Sequence, residues 1–179
     1  MKACKFSLPL LNRVNTASYT IRQFSIADVD AYKRIRLEAL EKEPGMFGNS
    51  HAMEAAMPHE DWVNRIVNPE HARFGLYCND ELIGLTAIII DAENPAEAYM
   101  TQSYIRKEHR GKGLSTLLYD ARIAWAKENG VKVLTISHRK SNLASKAANQ
   151  KYGFVYHHTD SRTWPDGMTE DNVHYALHI

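Results

Sequence analysis

A glycine-rich turn running into a helix is the stretch of this sequence best suited to chemistry. Residues 109–120 read His-Arg-Gly-Lys-Gly-Leu-Ser-Thr-Leu-Leu-Tyr-Asp. Gly111 and Gly113 allow a tight backbone turn and a close ligand approach, with no Cβ in the way. Leu114, Leu117, Leu118 and Ala121 then recur at helical spacing and give one apolar face. The first turn of such a helix offers unpaired N–H groups and the positive end of the helix dipole. Together these make an anion site out of main chain, and a diphosphate is a natural guest. Arg106, Lys107, Arg110 and Lys112 would add charge around it. The same residues also suit a solvated basic turn before a surface helix. No G-x-x-x-x-G-K-[ST] occurs, so this is not a P-loop, and the third glycine of a dinucleotide fingerprint is missing.

Composition narrows the partners. The 179 residues suit one domain with a sizeable core, expected over 19–179, after an extension over 1–18. Lys plus Arg number 22 against 21 Asp plus Glu, so no general charge for binding polyanions exists and nucleic acid is not an expected partner. The two cysteines, Cys4 and Cys78, form no C-x-x-C and suggest a reducing, cytoplasmic setting. The longest apolar run, Leu82 to Ile90, is strand-sized, so no membrane span is expected. The first 27 residues carry Lys2, Lys5, Arg13 and Arg22 and no acid; they read as a short extension lying on the domain, with an organellar targeting peptide as the alternative.

The elements that would position the turn follow from periodicity and punctuation. Tyr19–Phe24 alternates as a strand, and Ser25 with Asp28 makes a capping-box-like start to a helix that stops near Pro44-Gly45. A loop is expected over Gly45–Ala56, then a helix carrying Trp62, Ile66 and Val67 that ends before Asn68-Pro69. Strands follow at Arg73–Cys78, Glu81–Ile90 and Ala96–Ile105, with a hairpin turn at Asn79-Asp80. Gly84 inside the second of them suggests a bulge or a close backbone neighbour. The main helix runs from about Leu114 to Glu128 and ends at Asn129-Gly130. A strand at Val131–Ser137 and a helix at Leu143–Tyr152, capped by Asn142, come next. The last strands are Phe154–Thr159 and Val173–Ile179, separated by a long loop containing Trp164-Pro165-Asp166-Gly167.

Three signals, in this order and spacing, resemble the GNAT acetyltransferase superfamily. Ile105 to Gly113 is close to the family's V-x-P-x-x-R-G-x-G, with Lys107 in place of the usual proline. In the family loop [RQ]-x-x-G-x-[GA], Arg110 takes the first place, Gly113 the required glycine, and Ser115 stands where Gly or Ala is usual. Asn142 to Phe154 is similar to N-x-x-[AS]-x-x-x-x-x-K-x-G-F. The resemblance holds from Tyr19 to Phe154 and is looser after that. It implies an α/β (α+β) fold with a mixed, mostly antiparallel six- to seven-stranded sheet flanked by helices. Two central parallel strands would splay apart, here those ending at Ile105 and near Ser137.

The resemblance also implies acetyl-CoA as co-substrate, with the acetyl group passing to a primary amine of a small molecule or peptide by direct attack in a ternary complex. Backbone N–H groups of Gly111, Lys112, Gly113, Leu114 and Ser115, with Arg110 beside them, would hold the pyrophosphate. The backbone of Tyr104 and Ile105 would pair with the pantetheine amides. Asn142 would cap its helix beside the cofactor, and Asn149 would hydrogen-bond it. An alkylammonium titrates near roughly 10 and must lose a proton before attack. Glu97 is the only acid between Ala96 and Ile105 and is the candidate base, with a water chain as the alternative. Many relatives place an acidic tyrosine where Asn149 stands; Tyr152 is the substitute candidate for protonating the thiolate, and otherwise a core aromatic stacked against Phe154. No metal is implied, and His157-His158 on a strand would point to opposite faces. Met46, Met53 and Met57 read as packing. The acceptor would lie between Gly45–Ala56 and the loop before Val173, bordered by Glu43, Glu54, Asp160, Asp166 and Glu170, which favours a cationic amine. A homodimer is allowed. Two other readings stay open: a CoA-binding sensor or scaffold without turnover, and a nucleotide-binding module using the same loop.

Overall fold

The computed structural model describes residues 18–179. The expected extension over 1–18, with Cys4, therefore lies almost wholly outside the described residues. Seven strands form one sheet in the order β1-β2-β3-β4-β5-β7-β6. They are β1 Tyr19–Gln23, β2 His71–Cys78, β3 Glu81–Ile90, β4 Glu97–Ile105, β5 Val133–Arg139, β6 Val155–Thr163 and β7 Thr169–His178. All neighbours are antiparallel except β4 and β5. That parallel pair is laddered only from Glu97–Met100 to Val133–Ile136. Past Met100 and Ile136 the two strands part, and this gap is the expected splay.

Helices cover both faces. α1 (Val29–Lys42), α2 (His51–Ala55) and α3 (His59–Val67) precede the hairpins, and α4 (Ser115–Glu128) and α5 (Leu143–Lys151) follow β4 and β5. One core joins Ile88, Met100, Leu134 and Ile136 to Tyr119 and Ala126 of α4 and to Phe154. The other joins Leu85 and Tyr104 to Tyr32 and Ile35 of α1 and Trp62 of α3. A third cluster, Leu76, Ile83, Leu114 and Leu118, pins the start of α4 to the sheet beneath the glycine turn. The apolar stripe read from the sequence thus serves to hold the turn in place.

Three bulges set which way side chains face. Ile83 is the extra residue opposite Leu76–Tyr77, and next to it a Cβ on Gly84 would lie 2.5 Å from the Tyr104 carbonyl, so both readings of that glycine hold. In β4 the ladder runs Leu85↔Tyr104 but Ala87↔Thr101, leaving one extra residue in β4, and Gln102 there has φ 58. In β6, His157 is extra between Tyr156↔Tyr175 and His158↔His174. The expectation that His157 and His158 face opposite ways fails for that reason: their ring centroids are 4.8 Å apart.

Other elements differ from their expected bounds. β5 starts at Val133, because Val131 is spent as a buried plug after the α4 stop. The long loop before Val173 is instead a β-hairpin whose connection is only 164–168, closed by Trp164 N–H to Met168 O at 2.9 Å and Gly167 at φ 82. β6 shows no alternation because nearly all of it is exposed. The Gly45–Ala56 loop contains α2, capped by the Ser50 hydroxyl accepting from Met53 N–H at 3.2 Å.

Candidate active site

The glycine turn is held open from below and from the side. Gly111 and Gly113 have φ 76 and 74, the left-handed region that favours glycine. A Cβ on either would meet nothing, so their requirement is conformational. Alternating left-handed residues aim successive N–H groups to one side, a nest for anions. Among the described residues, none of the N–H groups of Gly111, Lys112, Gly113, Leu114 and Ser115 donates to another group. Leu114 buries its side chain in the third cluster while its N–H stays free.

The cations around the turn act mostly as braces. Arg106 donates to Glu38 at 2.8 Å and to Glu81 at 2.6 Å. Arg110 donates from Nη2 to Glu43 at 2.5 Å and from Nε to the Ile105 carbonyl at 2.7 Å. The expected ring of free charge is therefore reduced to Lys107, which is exposed, and Lys112, whose Nζ donates to the Tyr19 hydroxyl at 3.1 Å.

The strand feeding the turn presents a bare edge. From Thr101 to Ile105 the β5-facing side of β4 has no partner strand. The Gln102 bulge opens this stretch, and it is fixed from the α1 side. The buried Tyr32 hydroxyl donates to Gln102 Oε1 at 3.1 Å and accepts from Arg73 Nε at 3.0 Å. The Tyr104 side chain turns away into the core, where its hydroxyl donates to Glu38 at 3.0 Å; burial and that carboxylate push it up to about 12. The Tyr104 side chain is thus committed to Glu38, and the Ile105 carbonyl accepts from Arg110. Neither Gln102 nor Tyr32 was flagged by sequence; a glutamine in a left-handed bulge carries no sequence mark.

Placement separates the catalytic candidates. Glu97 sits at the laddered end of β4, paired with Val133, and accepts from Asn94 Nδ2 at 2.8 Å. It is about 13 Å of strand from the gap at Thr101, at about 3.3 Å per residue. The groups at the mouth of the gap are Tyr99 and Ser137, whose hydroxyls are 2.8 Å apart across β4 and β5. His138, next along β5, is buried, and burial pushes its imidazole down.

Asn142 caps α5, accepting from Ser145 N–H at 3.1 Å. Asn149 is fully buried, and its Oδ1 accepts from the Tyr119 hydroxyl. Its Nδ2 has no partner among the described residues. Tyr152 stacks on Tyr119, ring centroids 4.2 Å apart, rather than on Phe154. Its hydroxyl donates to the Thr116 carbonyl at 3.1 Å, and burial pushes it up. Tyr119, Asn149 and Tyr152 form one packed group behind the first turn of α4.

The expected acidic border is a set of closed ion pairs. Glu54 is buried against Arg36 and Arg65, both at 2.7 Å; burial works to raise its carboxyl, and the two guanidiniums with Asn49 override this and hold it down at about 2. Arg139, itself buried, takes both Asp166 and Glu170 at 2.5 Å and also donates to the Gly45 carbonyl at 3.2 Å. Arg162 donates to the Gly48 carbonyl at 2.8 Å. The segment after α1 and the β6–β7 hairpin are thus tied together, and a Cβ at Gly45 would collide with Asp166. With Glu43 on Arg110 and Asp160 on His174, every one of the five acids has a cationic or imidazole partner.

A model of the Acetyltransferase (GNAT) family matches residues 34–154. No curated protein matches the sequence. Among solved structures, the chain is similar to the acetyltransferase of the GNAT family from Streptococcus pneumoniae, at 18% identity and TM-score 0.76, over 90% of this chain and 100% of that one. It is similar to the yncA protein from Salmonella typhimurium, solved with its cofactor acetyl-CoA, at 18% identity and TM-score 0.73, over 89% and 93%. It is also similar to ribosomal-protein-alanine N-acetyltransferase from Brucella melitensis, at 20% identity and TM-score 0.75, over 89% and 99%. No helix among the described residues is long and apolar enough to cross a membrane.

Proposed function

The chain belongs to the GNAT acetyltransferase family, and we propose that it is an acetyl-CoA-dependent N-acetyltransferase acting on a primary amine by direct attack in a ternary complex. The observation that carries this reading is the run of free N–H groups from Gly111 to Ser115 at the foot of the bare β4 edge. Acetyl-CoA supplies the acetyl group as a thioester, which the amine attacks with release of the CoA thiol.

The chain's own residues have three tasks. The five N–H groups hold the diphosphate, helped by Lys112 and by the N-terminal end of α4. The unpaired edge from Thr101 to Ile105 offers N–H and carbonyl groups to the amides of the cofactor arm. A main-chain N–H on that edge faces the negative charge that develops on the thioester oxygen; one such donor is typically worth about a hundred- to a thousandfold in rate. Arg110 braces the strand end through Ile105 rather than touching phosphate.

Proton traffic runs mainly through solvent. Glu97 lies too far back along β4, so the amine loses its proton to water at the Tyr99–Ser137 mouth. Tyr152 stays protonated but is committed to Thr116. A thiol titrating near roughly 8.5 leaves without an acid. The acceptor is a small-molecule amine or a peptide; the name of the Brucella melitensis relative puts a peptide N-terminus on the test panel. Cys78 carries a free thiol, which suits the cytoplasmic setting expected from the sequence.

The test is thiol release from acetyl-CoA by the pure protein across amines, amino acids and short peptides. Release that depends on one acceptor class supports the reading. Tight acetyl-CoA binding with no release across the whole panel supports the sensor reading instead.

A further inference from the structure

The β6–β7 hairpin gathers imidazole and carboxylate groups that the acetyl-transfer reading does not use. We propose that His158, Asp160 and His174 form a binding site for a divalent transition-metal ion, zinc in the first instance. One ligand atom from each lies within 4.8 Å of the others. A tetrahedral zinc with bonds near 2.1 Å needs its ligands about 3.4 Å apart, so the group closes by small side-chain rotations. His158 and Asp160 are exposed and free to make them.

The register builds this cluster. His174 on β7 pairs directly with His158 on β6, and Asp160 pairs with Asn172. Cross-strand partners share one face of a sheet. The His157 bulge sets His158 in that register, and the two imidazoles stack with centroids 4.0 Å apart. His157 Nδ1 lies 2.7 Å from His158 Nδ1. That contact occupies one nitrogen of His158 and leaves its Nε2 for a ligand, the arrangement that fixes a ligating histidine.

His174 Nε2 and Asp160 Oδ1 are 2.5 Å apart, and a metal ion bound by both would take the place of the hydrogen-bonding proton between them. Asn172 Nδ2 donates to Asp160 Oδ1 at 3.4 Å and lies 2.8 Å from His174 Nε2. Asn172 is only 4% exposed, and its Oδ1 has no partner among the described residues. The buried amide turns its nitrogen to the cluster and leaves its oxygen unpartnered away from it; a 180° turn of the amide would bring that oxygen to the His174 side, within reach of a bound cation. Two imidazoles and a carboxylate suit zinc, with nickel and copper as chemical neighbours, better than magnesium or calcium. His174 also pairs with Ser137 of β5, so a bound ion would brace the hairpin one strand from the gap.

The test is equilibrium binding of zinc chloride to the untagged full chain, stripped with chelator, against His174→Ala and Asp160→Asn. The expected result is one zinc per chain, at least tenfold weaker in both variants, with a matching loss of the zinc-induced rise in Tm. Asp160 is exposed and not in a core, so Asp160→Asn retains the fold if His174→Ala does not. Cobalt as a replacement should give a visible band in wild type that both variants lose. No zinc bound at sub-millimolar concentration, or binding unchanged by both substitutions, would overturn the proposal.

Discussion

The glycine turn and the β6–β7 hairpin hold their polar groups in opposite ways. The turn presents main-chain N–H groups, made available by two left-handed glycines and the start of a helix. Its side chains face inward or brace neighbours: Leu114 into the core, Arg110 onto Ile105 and Glu43. The hairpin presents side chains, and several of its acids are committed: Asp166 and Glu170 to Arg139 of β5, Asp160 to His174. The turn is therefore insensitive to protonation but intolerant of any added Cβ at left-handed φ. The hairpin depends on charge.

The largest expected effect breaks the turn. Gly113→Glu forces a non-glycine residue to φ 74 and puts a negative charge among the free N–H groups. Acetyl-CoA affinity should fall at least a hundredfold, about 2.7 kcal/mol, by calorimetry, while Tm changes little. The next breaks the hairpin. Arg139→Ala strands Asp166 and Glu170 and unties the Gly45 carbonyl, and should lower the urea midpoint clearly. Arg139→Lys should recover little of it, since one ammonium cannot make the forked contacts.

Acid should separate the two regions without mutation. The Asp160, Asp166 and Glu170 carboxyls are all held below their ordinary values, first by the hydrogen bond from His174 for Asp160 and from Arg139 for the other two. Groups with lowered native values add stability that is fully present above their unfolded values and is lost as pH falls through the native ones. Hydrogen exchange in the hairpin should thus accelerate below about pH 4, where aspartate and glutamate begin to protonate. The Gly111–Ser115 turn holds no carboxylate, its one side-chain bond being Lys112 to the Tyr19 hydroxyl, and should persist to lower pH. The smallest effect is at the closed end of the parallel pair: Glu97→Gln should leave kcat and the pH–rate profile within about twofold, since geometry precedes pKa in choosing a base.

What the sequence disclosed follows the same division. Local necessity was legible: Gly111, Gly113, the Leu114–Leu118 stripe and the Asn142 cap each act within one turn of chain. The mixed sheet and the parallel pair came with the family resemblance. Contacts set by register were not legible. The Gln102 and His157 bulges leave no mark in residue type, so the Tyr32–Gln102 bond and the histidine stack stayed hidden. The acids were misjudged for a related reason: Glu54, Asp166 and Glu170 count as charges in a sequence, but their partners Arg36 and Arg139 come from other elements. The inner part of the hairpin, 160–172, reads as a loop in sequence because an exposed edge strand such as β6 has no buried face to impose alternation.

The central claim is that five backbone amides seat the diphosphate of acetyl-CoA, and amide chemical shifts read those atoms directly. Titrating acetyl-CoA into 15N-labelled protein should move the amides of Gly111, Lys112, Gly113, Leu114 and Ser115 most, with ADP reproducing part of the pattern through its own diphosphate. Shifts that cluster elsewhere while these five stay fixed would contradict the account.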